Sequence, residues 1–495
     1  MEQRLAVAMM VLYVAGPAAA EPPATPNVLL VSIDGLRFDR TSMGGGPHPS
    51  TPNLARIARR GVLFTAAFSQ SNESMYSHAT MLTGRMPSEI ARPEYLEFTI
   101  PDEALMVAEA LQDIGYETGG FLAGGHVRGS LGFDQGFQTI EEASDFGSFF
   151  ETTPMALRWI NTRAEGSPWF AFVHGYDCHR PFAHRGVFWH PFDPEYEGII
   201  DSLVNTRHET ERIFAGVYYP SANLSRVWHT NGVSMLDPAW YAALASGAAE
   251  GLGEGTPLSA LDLAHLKAHY DSGALVADTY VGLLIDQLER TGRWADTVVI
   301  ITSDHGEDLQ DHGFTNHRAV LYDSTTRVPL IIAGGALPDA LRGLTIDAPV
   351  DALDLVPTIM GIAGTVPPAK ARGRDLWRIL QEGDLPASHG VLQQGVLGQT
   401  SLRTAQHRFT FHGLSLTDPS YLAVLRTAPL RAANFALYDL ASDPGEQHNL
   451  IEERQDLATK LRATMVEQVS RLEPTGRRTE LAPDVLQMLR DRGYW

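Results

Sequence analysis

The chain has 495 residues, with 38 Lys and Arg against 59 Asp and Glu, a formal charge of −21. That balance argues against a nucleic-acid binder, which needs a basic surface, while leaving room for an anionic substrate in a locally positive crevice. A single cysteine, Cys178, excludes an intrachain disulfide framework and a Cys-rich zinc site.

Taken in chain order, residues 1–20 start with Arg4, run through an apolar stretch and end in Ala18-Ala19-Ala20. This reads as a cleaved secretory signal, too short for a lasting bilayer span. No later stretch is long and apolar enough to span, so the mature chain is expected to be exported, periplasmic or secreted, with no stable membrane span. Residues 27–33 (NVLLVSI), 169–174 (WFAFVH), 297–303 (TVVIITS) and 328–333 (VPLIIA) are short apolar, β-branched runs that predict buried strands. Residues 51–61 and 275–288 carry apolar positions at helical spacing. Strands alternating with helices predict an α/β layer with a mostly parallel sheet flanked by helices. Residues 189–263 are rich in Gly, Ser, Asn and Tyr and weakly periodic. They form a variable insertion, read either as an arm near the crevice mouth or as a surface excursion. Residues 369–495 are expected to form a smaller α+β subdomain, with strands near 390–397, 408–412 and 435–440 and a polar helix over 450–472.

Polar motifs follow three of the strand ends: Asp34 after the first, the 174–181 stretch after the second, and Asp304-His305 after the third. In open α/β sheets the ligand crevice lies at that edge. Asp and His there suit calcium, magnesium, manganese or zinc. Arg37 reads as a contact to an anion or as a loop salt bridge. Glu307 and Asp308 read as hydrogen-bond partners behind the metal pair or as charges at a helix N-terminus. His126 reads as a surface histidine or as a group reaching the site.

The blocks NVLLVSIDGLRFDR, STPNLARIARRGVLF, SHATMLTGR, DCHRPF, VVIITSDHGEDLQDHGF, TTRVPLIIAGG, VDALDLVPTIMGIAG and YDLASDPGEQHNL resemble, in order and spacing, those of the sulfatases within the alkaline-phosphatase-like superfamily. The resemblance implies a catalytic domain over residues 21–368 and one divalent cation, calcium by preference with manganese, magnesium or zinc open, and no second ion. It implies Asp34, Ser74, Asp304 and His305 as its ligands, Ser74 as nucleophile, and His179 and His317 as contacts to the transferred group. Asp177, His78, Arg37 and His126 are further substrate or second-metal candidates. The chain departs from the pattern in several places. Gly35 replaces an aspartate, and His305 stands where sulfatases often have Asn and phospho-hydrolases have His. The nucleophile motif Cys/Ser-x-Pro-Ser-Arg reads Ser74-Met75-Tyr76-Ser77-His78. No lysine precedes His126.

The implied activity is hydrolysis of a sulfate or phosphate ester of a small molecule, glycan or lipid by Ser74 or its formylglycine form. The alternatives are a phosphomonoester, phosphodiester or phosphonate hydrolase, or a phospho-headgroup transferase, using unmodified Ser74, and a catalytically inactive binding protein. Organic substrate and oligomeric state are left open.

Overall fold

In the computed structural model the described residues are 25–475, with breaks at 92–98, 144–145, 181, 183–185, 189–190, 199, 202–257, 313–314, 319, 385–389, 396–397, 413–415 and 417. The signal reading of residues 1–20 and most of the 189–263 insertion lie outside them.

The apolar runs become strands because a sheet covered on both faces needs continuous hydrophobic segments. In chain order these are β1 (Asn27–Ile33), β2 (Val62–Phe68), β3 (Glu117–Leu122), β4 (Thr139–Glu142), β5 (Trp169–Gly175), β6 (Thr297–Thr302), the short ribbon β7 (Asp308–Leu309) and β8 (Thr315–Asn316), then β9 (Arg327–Gly334), β10 (Leu344–Ile346) and β11 (Val350–Asp351). The main sheet runs β10-β2-β9-β6-β1-β5-β3-β4, with β11 also on β2. All its pairings are parallel except those of β9, which runs antiparallel to both β2 and β6. A fully buried strand carries the same residue pattern in either direction, so the sequence did not distinguish them.

Residues of β1 alternate between the two faces of the sheet. Val28 and Leu30 pack with the helices α2 (Ser74–Thr83), α3 (Val107–Asp113), α6 (Leu355–Ile362) and α7 (Leu376–Gln381). Leu29, Val31 and Ile33 pack with α1 (Pro52–Ala58), α4 (Phe149–Asn161) and α5 (Ala260–Arg290). The result is the expected helix–sheet–helix layering.

A second sheet, β12 (Val391–Gln394), β13 (Thr400–Arg403), β14 (His407–Phe411) and β15 (Phe435–Asp439), is antiparallel in sequence order. It packs α8 (Tyr421–Thr427) and α9 (Gln455–Val469) around its own core, giving a C-terminal β-sheet subdomain. Sequence periodicity had not singled out β13.

What matters for chemistry is one edge. Strands β1, β2, β5 and β6 all point the same way, so their carboxyl ends converge. Ser32 of β1 lies level with His174 of β5 and Thr302 of β6.

Candidate active site

Asp34 follows β1 directly, and its backbone N–H donates to the Gly175 carbonyl at 3.0 Å. The chain then turns through Gly35, whose φ of +73° is left-handed and suits a residue without a Cβ. That turn aims the Gly35 N–H at Asp304 Oδ1 (3.0 Å) and the Leu36 N–H at Ser303 Oγ (2.9 Å). The loops after β1 and β6 are thereby tied together although 270 positions separate Asp34 from Asp304.

Asp34, Asp304 and His305 are fully or almost fully buried, and each offers a ligand atom within 4.8 Å of the others. Both oxygens of Asp34 and Oδ2 of Asp304 lack a hydrogen-bond partner among the described residues. Burial, then the neighbouring Asp304, pushes Asp34 well above the usual carboxylate range. Buried carboxylate oxygens facing each other without donors are what a cation would satisfy, and a set of two carboxylates, an imidazole and a hydroxyl fits a divalent ion.

Ser74 opens α2, and its Oγ lies 3.0 Å from His305 Nε2. His305 Nδ1 donates to the Gly306 carbonyl at 2.8 Å, which leaves the Nε2 lone pair facing the hydroxyl. The positive end of the α2 dipole falls on the same spot, a favourable place for an anion.

The other side chains around Ser74 are also fixed. His78 donates from Nδ1 to the Ser74 carbonyl (2.8 Å), its Nε2 lies 2.9 Å from Ser32 Oγ, and its ring is 3.5 Å from Asp304 Oδ2. His317 stacks on His305 (centroids 4.1 Å apart) and sits 5.5 Å from the His179 ring. Glu307 Oε2 lies 3.4 Å from His317 Nδ1, so it backs His317 rather than the Asp304–His305 pair. Burial lowers both His179 and His317, with Arg180 adding to the effect on His179, which falls to about 3, and His305 first among the charges acting on His317. Both rings are therefore neutral. The Nδ1 proton of His179 is committed to the Arg180 carbonyl at 2.8 Å, so Nε2 of the neutral ring is a proton acceptor.

Sequence reasoning missed three groups. His174, the last side chain of an apolar strand, is fully buried, has no hydrogen-bond partner on either nitrogen among the described residues, and approaches Asp34 Oδ2 at 3.5 Å. It forms with Asp34 and His78 a second set of ligand atoms within 4.8 Å. Glu73, the residue before the nucleophile, forms a bidentate ion pair with Arg318 through Nε and Nη2 (the latter at 2.9 Å). Burial works to raise Glu73, but Arg318 and His126 outweigh it and hold the carboxyl well below its usual range. Arg318→Ala would strand that buried carboxylate, and a destabilisation of about 3–5 kcal/mol is expected by urea denaturation.

The structure decides between three pairs of sequence readings. Arg37 is held by protein groups. Its guanidinium is taken up by Asp39 (2.7 and 2.9 Å), the Glu307 carbonyl (2.9 Å) and Asp311, so the loop salt-bridge reading holds. Asp177 is not gathered with His179 and His317 as a ligand: its Oδ2 accepts the Phe149 N–H at 2.9 Å, at the start of α4. His126 is not a surface residue. It is 4% exposed, with Nδ1 2.9 Å from Glu73 Oε1. Cys178 is buried and its thiol is pushed up by burial, consistent with a packing role.

Asp177 carries a pH prediction. Burial raises it to about 7, against about 3.9 in an unfolded chain. Below pH 4 both states bind the proton. Between pH 4 and 7 the unfolded state ionises first, so this group costs stability as pH rises and the loss levels off above 7. Asp177→Asn keeps an acceptor for Phe149, and its melting temperature is expected to gain on the wild type progressively from pH 4 to 7. A difference independent of pH would contradict this.

Comparisons with known proteins give the family and the fold. The sulfatase family model matches residues 26–365. A curated relative, the N-acetylglucosamine-6-O-sulfatase of Bacteroides thetaiotaomicron, is 24% identical, covering 87% of this chain and 83% of its own. A solved structure in complex with its substrate D-glucosamine-2-N,6-O-disulfate superposes with a TM-score of 0.67 at 19% identity, over 92% of this chain and 100% of the other. The phosphonate monoester hydrolase of Silicibacter pomeroyi superposes with a TM-score of 0.63 at 18% identity, over 91% and 96%. With the family model matched over residues 26–365, most of its length, the chain belongs to the sulfatase family of hydrolases.

Proposed function

We propose that the protein is an exported, metal-dependent hydrolase that cleaves a sulfate or phosphate ester by in-line attack of Ser74. The observation that carries this reading is the placement of Ser74 Oγ at the N-terminus of α2, 3.0 Å from His305 Nε2, a member of the Asp34–Asp304–His305 group, in which both Asp34 oxygens and Asp304 Oδ2 lack a hydrogen-bond partner among the described residues. A divalent cation held by Asp34, Ser74, Asp304 and His305 would supply Lewis-acid charge, lowering the hydroxyl pKa and offsetting negative charge on the ester.

The chain's own groups do the rest. Ser74 Oγ gives up its proton and bonds to the sulfur or phosphorus as the bond to the leaving oxygen breaks. The neutral imidazoles of His179 and His317 are the groups available to take that proton and return it to the departing alkoxide. Water then attacks the ester on Ser74 and releases the inorganic anion and the free serine. A silent binding protein would tolerate loss of the nucleophile or a ligand, whereas all four side chains are present and gathered. The curated relative named above is an N-acetylglucosamine-6-O-sulfatase, which supports a sulfated sugar as the first substrate to try.

A second reading is favoured by Tyr76 and His78. They replace the proline and arginine of the family's modification motif, and the His78 ring is bonded to the Ser74 carbonyl. Serine left unmodified cannot release sulfate by collapse of a hemiacetal, which favours a phosphate ester or phosphonate monoester. One experiment separates the two: the peptide mass across Ser74 from the native host, paired with turnover of an aryl sulfate, an aryl phosphate and an aryl phosphonate. An aldehyde at position 74 with sulfate turnover supports a sulfate ester as substrate, with the formylglycine form in place of the serine hydroxyl as the attacking group. Intact serine with phosphate or phosphonate turnover supports the second. No turnover of any of the three sinks both. Export is tested on the same material by its N-terminal sequence, expected to start after Ala20.

A further inference from the structure

The first turns of α5 carry a second group of metal-ligating side chains, separate from the crevice. His265 and His269 are one helical turn apart and share a face, and each is 1% exposed. Their Nε2 atoms converge on a single oxygen, Asp201 Oδ1, at 3.1 and 3.4 Å. The rings stand at 88° to each other with centroids 4.6 Å apart, and ligand atoms from the three residues lie within 4.8 Å of one another. Behind them, His265 Nδ1 is 3.0 Å from Asp193 Oδ2. Tyr196 lies flat against the His265 ring at 3.6 Å, and its hydroxyl donates to Asp262.

Nε2 of both imidazoles and one carboxylate oxygen converge on one point, which is where a cation would take all three as ligands. A carboxylate on the far nitrogen is the usual device that fixes the tautomer and raises the basicity of a metal-bound histidine. Two histidines at i and i+4 on a helix with one carboxylate are a zinc-type donor set.

We propose that Asp201, His265 and His269 bind one divalent transition-metal ion, zinc by donor class, with Asp193 as a positioning residue for His265. Such an ion pins the segment carrying Asp193, Tyr196 and Asp201 to α5. The next residue of that helix, Tyr270, donates to the Gly35 carbonyl (2.7 Å) and accepts the Arg37 N–H (2.8 Å) just behind Asp34. The ion would thus brace the loop that presents Asp34 without taking part in the reaction.

The test uses the full chain carrying Asp34→Asn and Asp304→Asn, which disarms the crevice as a cation site. After dialysis against chelator, titration with Zn²⁺ is expected to give one equivalent per chain, by calorimetry and by elemental analysis, with a rise in melting temperature. His269→Gln in that background is expected to lose the equivalent. Asp193→Asn, which keeps all three ligands, is expected to weaken binding about 10- to 100-fold. If the double background does not fold, the same difference of one equivalent is read between wild type and His269→Gln. If His269→Gln does not fold, Asp193→Asn carries the comparison. No zinc uptake, or uptake of unchanged stoichiometry and affinity in the variants that fold, overturns the proposal. Because the background already lacks two crevice ligands, either result is independent of the crevice's own chemistry.

Discussion

Ser74→Ala is expected to lower kcat by at least about 10³-fold on whichever ester the enzyme turns over, in line with removal of other catalytic nucleophiles. The argument is one of position. Ser74 is 1% exposed, at the first position of a ten-residue helix whose side chains are all buried. Its hydroxyl is not a cap: the backbone geometry makes Glu73 the N-cap residue. A buried serine free of a capping role, with its oxygen against an imidazole lone pair and two carboxylates, is placed for chemistry. Alanine removes one oxygen from a rigid pocket, so the melting temperature should move by only a few degrees. Wild-type enzyme quenched during turnover should carry the added mass of the transferred group on the peptide containing Ser74, and the variant should not. A variant that retains turnover within tenfold of wild type would remove Ser74 from the mechanism.

The residues that chain order alone revealed are those that follow strand ends. Asp34, Asp304 and His305 each come directly after an apolar run, and a parallel sheet brings such positions to one edge whatever their separation in sequence. His174 escaped because it is still inside its strand. Next to Phe172 and Val173 a histidine reads as core, and only its level with Ser32 and Thr302 reveals that it reaches the edge. The Glu73–Arg318 pair escaped for a different reason: 245 positions separate the partners, and neither lies in a pattern that names the other. Arg37 shows the converse. Its spacing from Asp34 suggested an anion contact, but Asp311, 274 positions away, takes up part of its guanidinium. Local pattern reports which element a residue belongs to, while the charge that neutralises it is set by the sheet order.

Removal of divalent cations is expected to abolish turnover and to lower the melting temperature, and Asp34→Asn should split these two effects. In the chelated protein Asp34 and Asp304 face each other, fully or almost fully buried, with three of their four oxygens lacking a hydrogen-bond partner among the described residues. Burial and Asp304 both oppose ionisation of Asp34, so folding without a cation means either taking up a proton there or burying its charge. Asn at position 34 removes that charge while keeping the shape. The chelated variant should therefore be more stable than chelated wild type, by an amount on the order of the 1–4 kcal/mol gained when a buried ion pair is replaced by well-packed hydrophobic residues. With cation present the order reverses. Wild type gains about 2.7 kcal/mol at a hundredfold excess over the dissociation constant, whereas the variant, having lost a ligand, gains little and shows no turnover. The measurement is a pair of melting curves for each protein, with chelator and with added calcium or magnesium, hard ions that the two-histidine group on α5 does not favour. Chelated and cation-loaded wild type that melt alike, or a chelated Asp34→Asn protein less stable than chelated wild type, would show that these carboxylates are held by something other than a metal ion.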